Sequence, residues 1–229
     1  SWNSQLRSPV GMAKLGLRWL TKHDGPASTN SISAQTFAPS STGGTNAELK
    51  LQIQQISTAN NRGKGKMTID DFEGVTLASF QICPFSRGST HIQNLDPKSD
   101  PRMVSNHFTD DRDLEACLKA LKLSIKITET GPMADIVKRR VRLDAHLNSD
   151  GDLVDYMRAT GATAYHPVGT CRMGTDAAQS VVDPQLRVHG LQGLRVADGA
   201  IMPTIASTNT NAICTVIGER AASFILNGQ

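Results

Sequence analysis

Two clusters in the last third of the chain combine residue types that can do chemistry. One is Tyr165-His166-Pro167-Val168-Gly169-Thr170-Cys171-Arg172-Met173-Gly174. The other is Asp198-Gly199-Ala200-Ile201-Met202-Pro203, followed by Ser207-Thr208-Asn209-Thr210-Asn211-Ala212 and an apolar run that reads as a helix. Proline disfavours the α region for the residue before it, so His166 belongs to an extended segment, and Gly169 and Gly174 allow tight turns on its far side. The result is an irregular segment presenting an imidazole, the side chain whose ordinary pKa of about 6.5 suits general base work. A hydrogen-bonded loop histidine satisfies the same pattern. In the second cluster, Asn209 and Asn211 stand where a helix begins. Asparagine there is a preferred cap, and the same helix end, with its unpaired N–H groups and partial positive charge, can stabilise an anion. Both readings are open on the residues alone.

Other chemistries find less support. There is no GxSxG, so a nucleophile elbow is absent. His166 and Cys171 together do not make a zinc site, and a Cys–His nucleophile pair rests only on their closeness in sequence. No metal is expected. His23, His91, His107, His146 and His189 have no comparable surroundings and read as surface or structural. The four cysteines, Cys83, Cys117, Cys171 and Cys214, are too widely spaced for a disulfide framework or zinc finger and read as reduced, partly buried thiols.

The elements that must position these residues follow from periodicity. Pro9–Lys22 reads as a helix stopped by Asp24-Gly25-Pro26. Leu49, Leu51 and Ile53 alternate with polar residues, as in a half-buried strand. Val75–Ile82 and Ser89–Leu95 read as extended, and Pro84 with Arg87-Gly88 between them predicts a strand-turn-strand unit. Asp96 to Pro101 is turn-rich. Asp111–Thr130 is the clearest helix, with Leu114, Cys117, Leu118, Leu121 and Ile125 on one face. A shorter helix is expected over Asp152–Thr160 and short strands at Leu186–Val188 and Leu194–Ala197. A final helix from Asn211 to Leu226 is expected to bury Ile213, Val216, Ile217, Ala221 and Ile225. Ser40–Thr45 and the cationic stretch Asn60–Lys66 read as loops. This mixture of strands and helices predicts an α+β class or part of an α/β one.

Composition narrows the function. The 229 residues carry 24 Lys and Arg against 21 Asp and Glu, a net charge of +3, too balanced for a nucleic-acid footprint. Two Trp, two Tyr and six Phe are too few to argue for a surface that stacks bases. No apolar stretch is long enough for a membrane span.

The order and spacing of several motifs resemble one family. They are Tyr165–Gly174; Val182-Asp183-Pro184-Gln185-Leu186-Arg187-Val188-His189-Gly190; Gly193-Leu194-Arg195-Val196-Ala197-Asp198; and Ser207–Ala212 with Ile217-Gly218-Glu219-Arg220-Ala221-Ala222. With Pro84-Phe85-Ser86-Arg87-Gly88 and Leu95-Asp96-Pro97 upstream, they are similar to the carboxyl-terminal part of the glucose-methanol-choline (GMC) oxidoreductases. The resemblance implies part of a two-domain flavoenzyme. Residues 1–155 would be mostly an antiparallel-sheet substrate domain, and residues 156–229 the closing segment of a Rossmann-like FAD domain. It implies FAD-dependent oxidation of a small-molecule alcohol to the carbonyl by hydride transfer to the flavin, whether by an oxidase or a dehydrogenase. His166 would be the base and Asn209 the hydrogen-bond partner of the substrate oxygen. Asn211 and Ala212 would approach the flavin pyrimidine edge, and Asp198, Gly199 and Ala200 would run beside its ribityl and pyrophosphate. Tyr165, next to the base, would face the substrate. The family's GxGxxG fingerprint is absent from this chain, so a companion amino-terminal FAD-binding chain is expected. A flavin-containing hydroxynitrile lyase of the same family and a non-catalytic subunit are the alternatives.

Overall fold

The computed structural model describes residues 1–41, 44–59 and 68–228. The loop read at Asn60–Lys66 lies outside the described residues, and that at Ser40–Thr45 is described only in part. In chain order the elements are α1 (Asn3–Arg7), α2 (Pro9–Lys22), β1 (Ile32–Ala38), β2 (Leu49–Gln54), β3 (Thr76–Gln81), β4 (Ser89–His91) and β5 (Arg102–Val104). Then come α3 (Asp111–Glu129), α4 (Gly131–Ile136), α5 (Asp150–Thr160) and α6 (Thr210–Leu226), with single 3-10 turns at Pro26–Ser28 and Gly199–Ile201. Helices beside antiparallel pairs β1/β2 and β4/β5 bear out the α+β class. No helix among the described residues is long and apolar enough to cross a membrane. The chain forms two compact units, 1–80 with 119–139, and 81–118 with 140–229.

In the first unit, α2 has the predicted bounds. Pro9 opens it, Ser8 Oγ accepts from the Gly11 N–H at 3.2 Å, and His23 closes it in the left-handed region at φ 53°. The sheet order is β1-β2-β3, so the alternating segment becomes the central strand, with Leu49 and Leu51 buried. Its polar Gln52 is buried as well. A buried amide ties the segments around this sheet together: Asn3 Nδ2 donates to Ser57 Oγ at 3.0 Å and to the Phe72 carbonyl at 2.7 Å, while Asn3 Oδ1 accepts from the Ser57 N–H at 3.1 Å.

In the second unit the predicted strand-turn-strand arrangement is not formed. β3 pairs with β2, whereas β4 pairs antiparallel with β5, Ser89 opposite Val104 and His91 opposite Arg102. The turn-rich stretch from Asp96 to Pro101 is the connection inside that pair, because Asn94 and Asp96 side chains accept backbone N–H groups two residues on and bend the chain there. The residues between β3 and β4 are held instead by Asp113 in the first turn of α3. Its carboxylate accepts from the Phe85 N–H at 2.8 Å, the Ser86 N–H at 2.7 Å and Gln81 Nε2 at 2.9 Å. Burial pushes its pKa up, but these bonds outweigh it and hold the group below its ordinary value. The Arg112 guanidinium lies over the Phe85 ring at 3.7 Å.

The length of α3 agrees with the periodicity, but its most buried line is Asp113, Ala116, Ala120 and Ser124, with the predicted apolar residues half-buried beside it. The Ser124 hydroxyl is satisfied within the helix by the Ala120 carbonyl at 3.0 Å. α5 starts two residues before the predicted position, at a capping box in which Ser149 Oγ accepts from the Asp152 N–H and Asp152 from that of Ser149. The strands predicted at Leu186–Val188 and Leu194–Ala197 are only single bridges, Val182 to Val188 and Arg187 to Arg195, because the chain turns at Gly190 and Gly193, both at positive φ. Val182, Leu186, Ile201, Met202, Ile217 and Ala221 form the core of this region. Ile217 and Ala221 of α6 are thus buried as expected and Ile213 is packed against them, but Val216 is 55% and Ile225 63% exposed. Val216 lies about 100° round the helix from Ile217, whereas Ile225 continues the line of Ile217 and Ala221 but stands in the last turn of α6, beyond the core residues.

Candidate functional site

Every sequence-predicted site residue falls in the second unit, on three stretches that meet: the 165–174 loop, the Gly199–Ile201 turn and the start of α6. The loop leaves α5 irregularly. Tyr165 sits at φ 63°, its N–H donating to Thr163 Oγ1 at 3.0 Å, and its side chain is 80% exposed. His166 is half-buried, with Nδ1 3.0 Å from the Thr210 hydroxyl. Gly169 has φ +88°, and a Cβ there would lie 3.1 Å from the Met202 carbonyl oxygen, so glycine lets the loop press close to the residues that follow the turn. Beyond it, the Cys171 N–H donates to the Ala200 carbonyl at 2.9 Å and the Met173 N–H to the Ile201 carbonyl at 2.7 Å. The far end of the histidine loop is therefore hydrogen-bonded to the turn.

The turn has its own brace. Asp198 Oδ1 accepts the Ala200 N–H at 2.7 Å, so Asp198 and Ala200, two of the residues singled out in sequence, are directly bonded. Gly199 is wedged. A Cβ added there would meet Cys214 Sγ of α6 at 3.3 Å and Val168 Cγ1 of the loop at 3.7 Å. A side chain at 199 would thus press on both neighbours.

At the start of α6, Asn209 occupies the cap position with φ −60° and ψ 138°, yet its side chain makes no capping hydrogen bond. Asn209, Asn211 and Ala212 are exposed. The first-turn N–H groups have no partner inside the helix, and the Asn209 side chain does not take one. That leaves the helix end able to receive an anionic or strongly accepting group. Thr210, between Asn209 and Asn211, carries the bond to His166, so the imidazole is attached to this first turn. Sequence reasoning missed Thr210. A hydroxyl at a helix start is common, and nothing in its spacing points to a partner 44 residues away.

The remaining candidates are structural. His189 Nε2 lies 3.1 Å from both Ser180 Oγ and the Gly174 carbonyl. All four cysteines are free thiols, as expected, with Cys83 exposed and the others half-buried. His166 makes its Nδ1 contact to Thr210 and not to Cys171.

With this geometry in place, known proteins can be set beside it. A family model described as GMC oxidoreductase matches residues 84–218, more than half of the chain. The chain is 39% identical over 153 residues to an "Alcohol dehydrogenase [acceptor]" of Pseudomonas putida, covering 67% of this chain and 28% of that protein. It is 33% identical over 210 residues to "Oxygen-dependent choline dehydrogenase 1" of Chromohalobacter salexigens, covering 91% of this chain and 37% of the relative. A solved formate oxidase of Aspergillus oryzae RIB40, from work on its FAD modification, superposes with a TM-score of 0.82 at 21% identity over 98% of this chain and 43% of that one. The chain thus spans less than half the length of each of these proteins.

Proposed function

The chain belongs to the GMC oxidoreductase family, and on that premise we propose that it is the substrate-binding and closing part of an FAD-dependent enzyme that oxidises an alcohol to the carbonyl by hydride transfer to the flavin. The observation that carries the reading is the attachment of His166, through Thr210, to the first turn of α6 beside Asn209. Residues 1–155 serve mostly the substrate domain and residues 156–229 return into the FAD domain. FAD is held chiefly by an amino-terminal FAD-binding segment, supplied as a companion chain or as the rest of the same polypeptide. The greater length of the relatives supports this division.

The residues present fit such a cofactor. An uncapped, exposed helix start suits the electron-rich pyrimidine edge of a flavin, and the N–H groups of Asn211 and Ala212 would face it. The braced turn at Asp198, Gly199 and Ala200 would line the ribityl and pyrophosphate. When bound, FAD supplies the two-electron acceptor. His166 takes the hydroxyl proton on Nε2, the nitrogen not engaged by Thr210. Asn209 orients the substrate oxygen by donating its amide N–H. Tyr165, exposed beside the base, contacts the substrate.

The relatives' names, an alcohol dehydrogenase and a choline dehydrogenase, favour oxidation over the lyase alternative. Anaerobic addition of alcohol to the holoenzyme tests this: flavin bleaching is expected, and cyanide release from a cyanohydrin without bleaching would overturn it. His166→Ala should slow flavin reduction by about 10²-fold or more, the scale of a lost general base. A wild-type rate would remove His166 from that role.

A further inference from the structure

We propose that Thr210 is a positioning residue that holds His166 in the tautomer protonated at Nδ1, keeping Nε2 free to accept a proton. The proposal rests on the reading of His166 as the base. The Thr210 hydroxyl oxygen and His166 Nδ1 are 3.0 Å apart, both side chains are half-buried, and the pair joins the histidine loop to α6 across 44 residues of sequence. A neutral imidazole carries one N–H, and a hydroxyl at Nδ1 can either accept from it or donate to it, so the base role of His166 is what calls for the Nδ1–H tautomer. If Nδ1–H donates to Oγ1, Nε2 bears the lone pair. If the hydroxyl donates to Nδ1, Nε2 carries the proton and can only donate.

The backbone supports a positioning role. Thr210 is the first residue of α6, a 17-residue helix anchored in the core by Ile217 and Ala221. Its hydroxyl is therefore carried on the same helix that packs into the core. The loop bearing His166 is itself tied to the Gly199–Ile201 turn through Cys171 and Met173. The Thr210 contact thus restrains the His166 ring from the α6 side.

The test compares Thr210→Val, which keeps the shape and removes the hydroxyl, with Thr210→Ser, which restores it. Nitrogen-15 NMR of histidine-labelled oxidised holoenzyme should show His166 protonated at Nδ1 in wild type and Thr210→Ser, and a shift toward Nε2 protonation in Thr210→Val. Flavin reduction at saturating alcohol should fall about 2- to 12-fold in Thr210→Val, the rate equivalent of one neutral hydrogen bond, with little change in substrate Kd, and Thr210→Ser should recover it. An Nε2-protonated His166 in wild type, or an unchanged tautomer and rate in Thr210→Val, would overturn the proposal. His166→Ala separates the two ideas. If it is slow while Thr210→Val is normal, only the positioning role falls. If it reduces flavin at the wild-type rate, the base reading falls, and this proposal with it.

Discussion

Replacing Asn209 with serine tests what that side chain is for, because the two roles open to it predict opposite results. Asn209 has the backbone of a helix cap, φ −60° and ψ 138°, without a capping hydrogen bond from its side chain. Serine is about as good a cap as asparagine and can reach the N–H of the second or third helical residue, here Asn211 or Ala212. The substitution therefore has no capping bond to lose. A capping bond gained by serine is worth about 1 kcal/mol, which for a chain of this size is roughly 2–4 °C in Tm. For the reaction the sign reverses. The serine hydroxyl stands closer to the backbone than the asparagine amide, so it cannot donate to a substrate oxygen held at the amide's distance. Losing a donor aimed at a developing oxyanion costs up to about 4 kcal/mol, and losing an ordinary hydrogen bond about 1 kcal/mol, so reduction should slow roughly 5- to 1000-fold. The assay pairs stopped-flow flavin reduction across alcohol concentrations with thermal melting of the same preparations. A contact made only in the transition state lowers kcat and kcat/KM together. Equal rates in Asn209→Ser and wild type would refute the substrate-orienting role. A Tm loss large enough to explain the slower rate would refute the structural reasoning.

Two further predictions probe the scaffold. Gly169→Ala places an L side chain at φ +88° with its Cβ 3.1 Å from the Met202 carbonyl; a loss of about 1–3 kcal/mol in urea unfolding is expected, with slower flavin reduction as the histidine loop shifts, and unchanged values for both would contradict the close approach. Asp113 titrates in the folded protein below its ordinary value, so its stabilisation is complete above the unfolded pKa of about 3.9 and lost as pH falls through the lower folded pKa. Asp113→Asn should therefore lower the urea midpoint at pH 5 to 7 and lose less of it than wild type on going to pH 3; parallel acid limbs would exclude Asp113 as a contributor.

Much of the architecture was legible because its signals are local. α2 is bounded by Ser8 and Pro9 at one end and by the residues before Asp24-Gly25-Pro26 at the other, and the bounds agree with the structure. β2 was readable from alternation, although alternation could not foresee the burial of Gln52. Pairing between strands was not legible. The turn residues after β3 suggested a hairpin, but Asp113, far along the chain, claims the Phe85 and Ser86 N–H groups and organises that segment without one. Likewise, an apolar stripe on α3 indicated its length and not its most buried line, since Asp113, Ala116, Ala120 and Ser124 carry too little apolar surface to register as a face.

The candidate site divides along the same boundary. The residue types of the histidine loop and of the α6 start could be picked out because each cluster is contiguous. What joins them could not, because the joining atoms are backbone groups and one inconspicuous hydroxyl. Ala200 offers its carbonyl to Cys171, Ile201 offers its carbonyl to Met173, and Thr210 meets His166. Backbone carbonyls have no sequence signature, and a threonine at a helix start has too many ordinary reasons to be there. The absence of an Asn209 capping bond is a structural fact of the same kind. Sequence physics alone could not choose between a helix cap and an anion-facing end. The proposed flavin-facing end calls for a cap position whose side chain does not cap, and Asn209 is such a position, next to the imidazole bonded to Thr210.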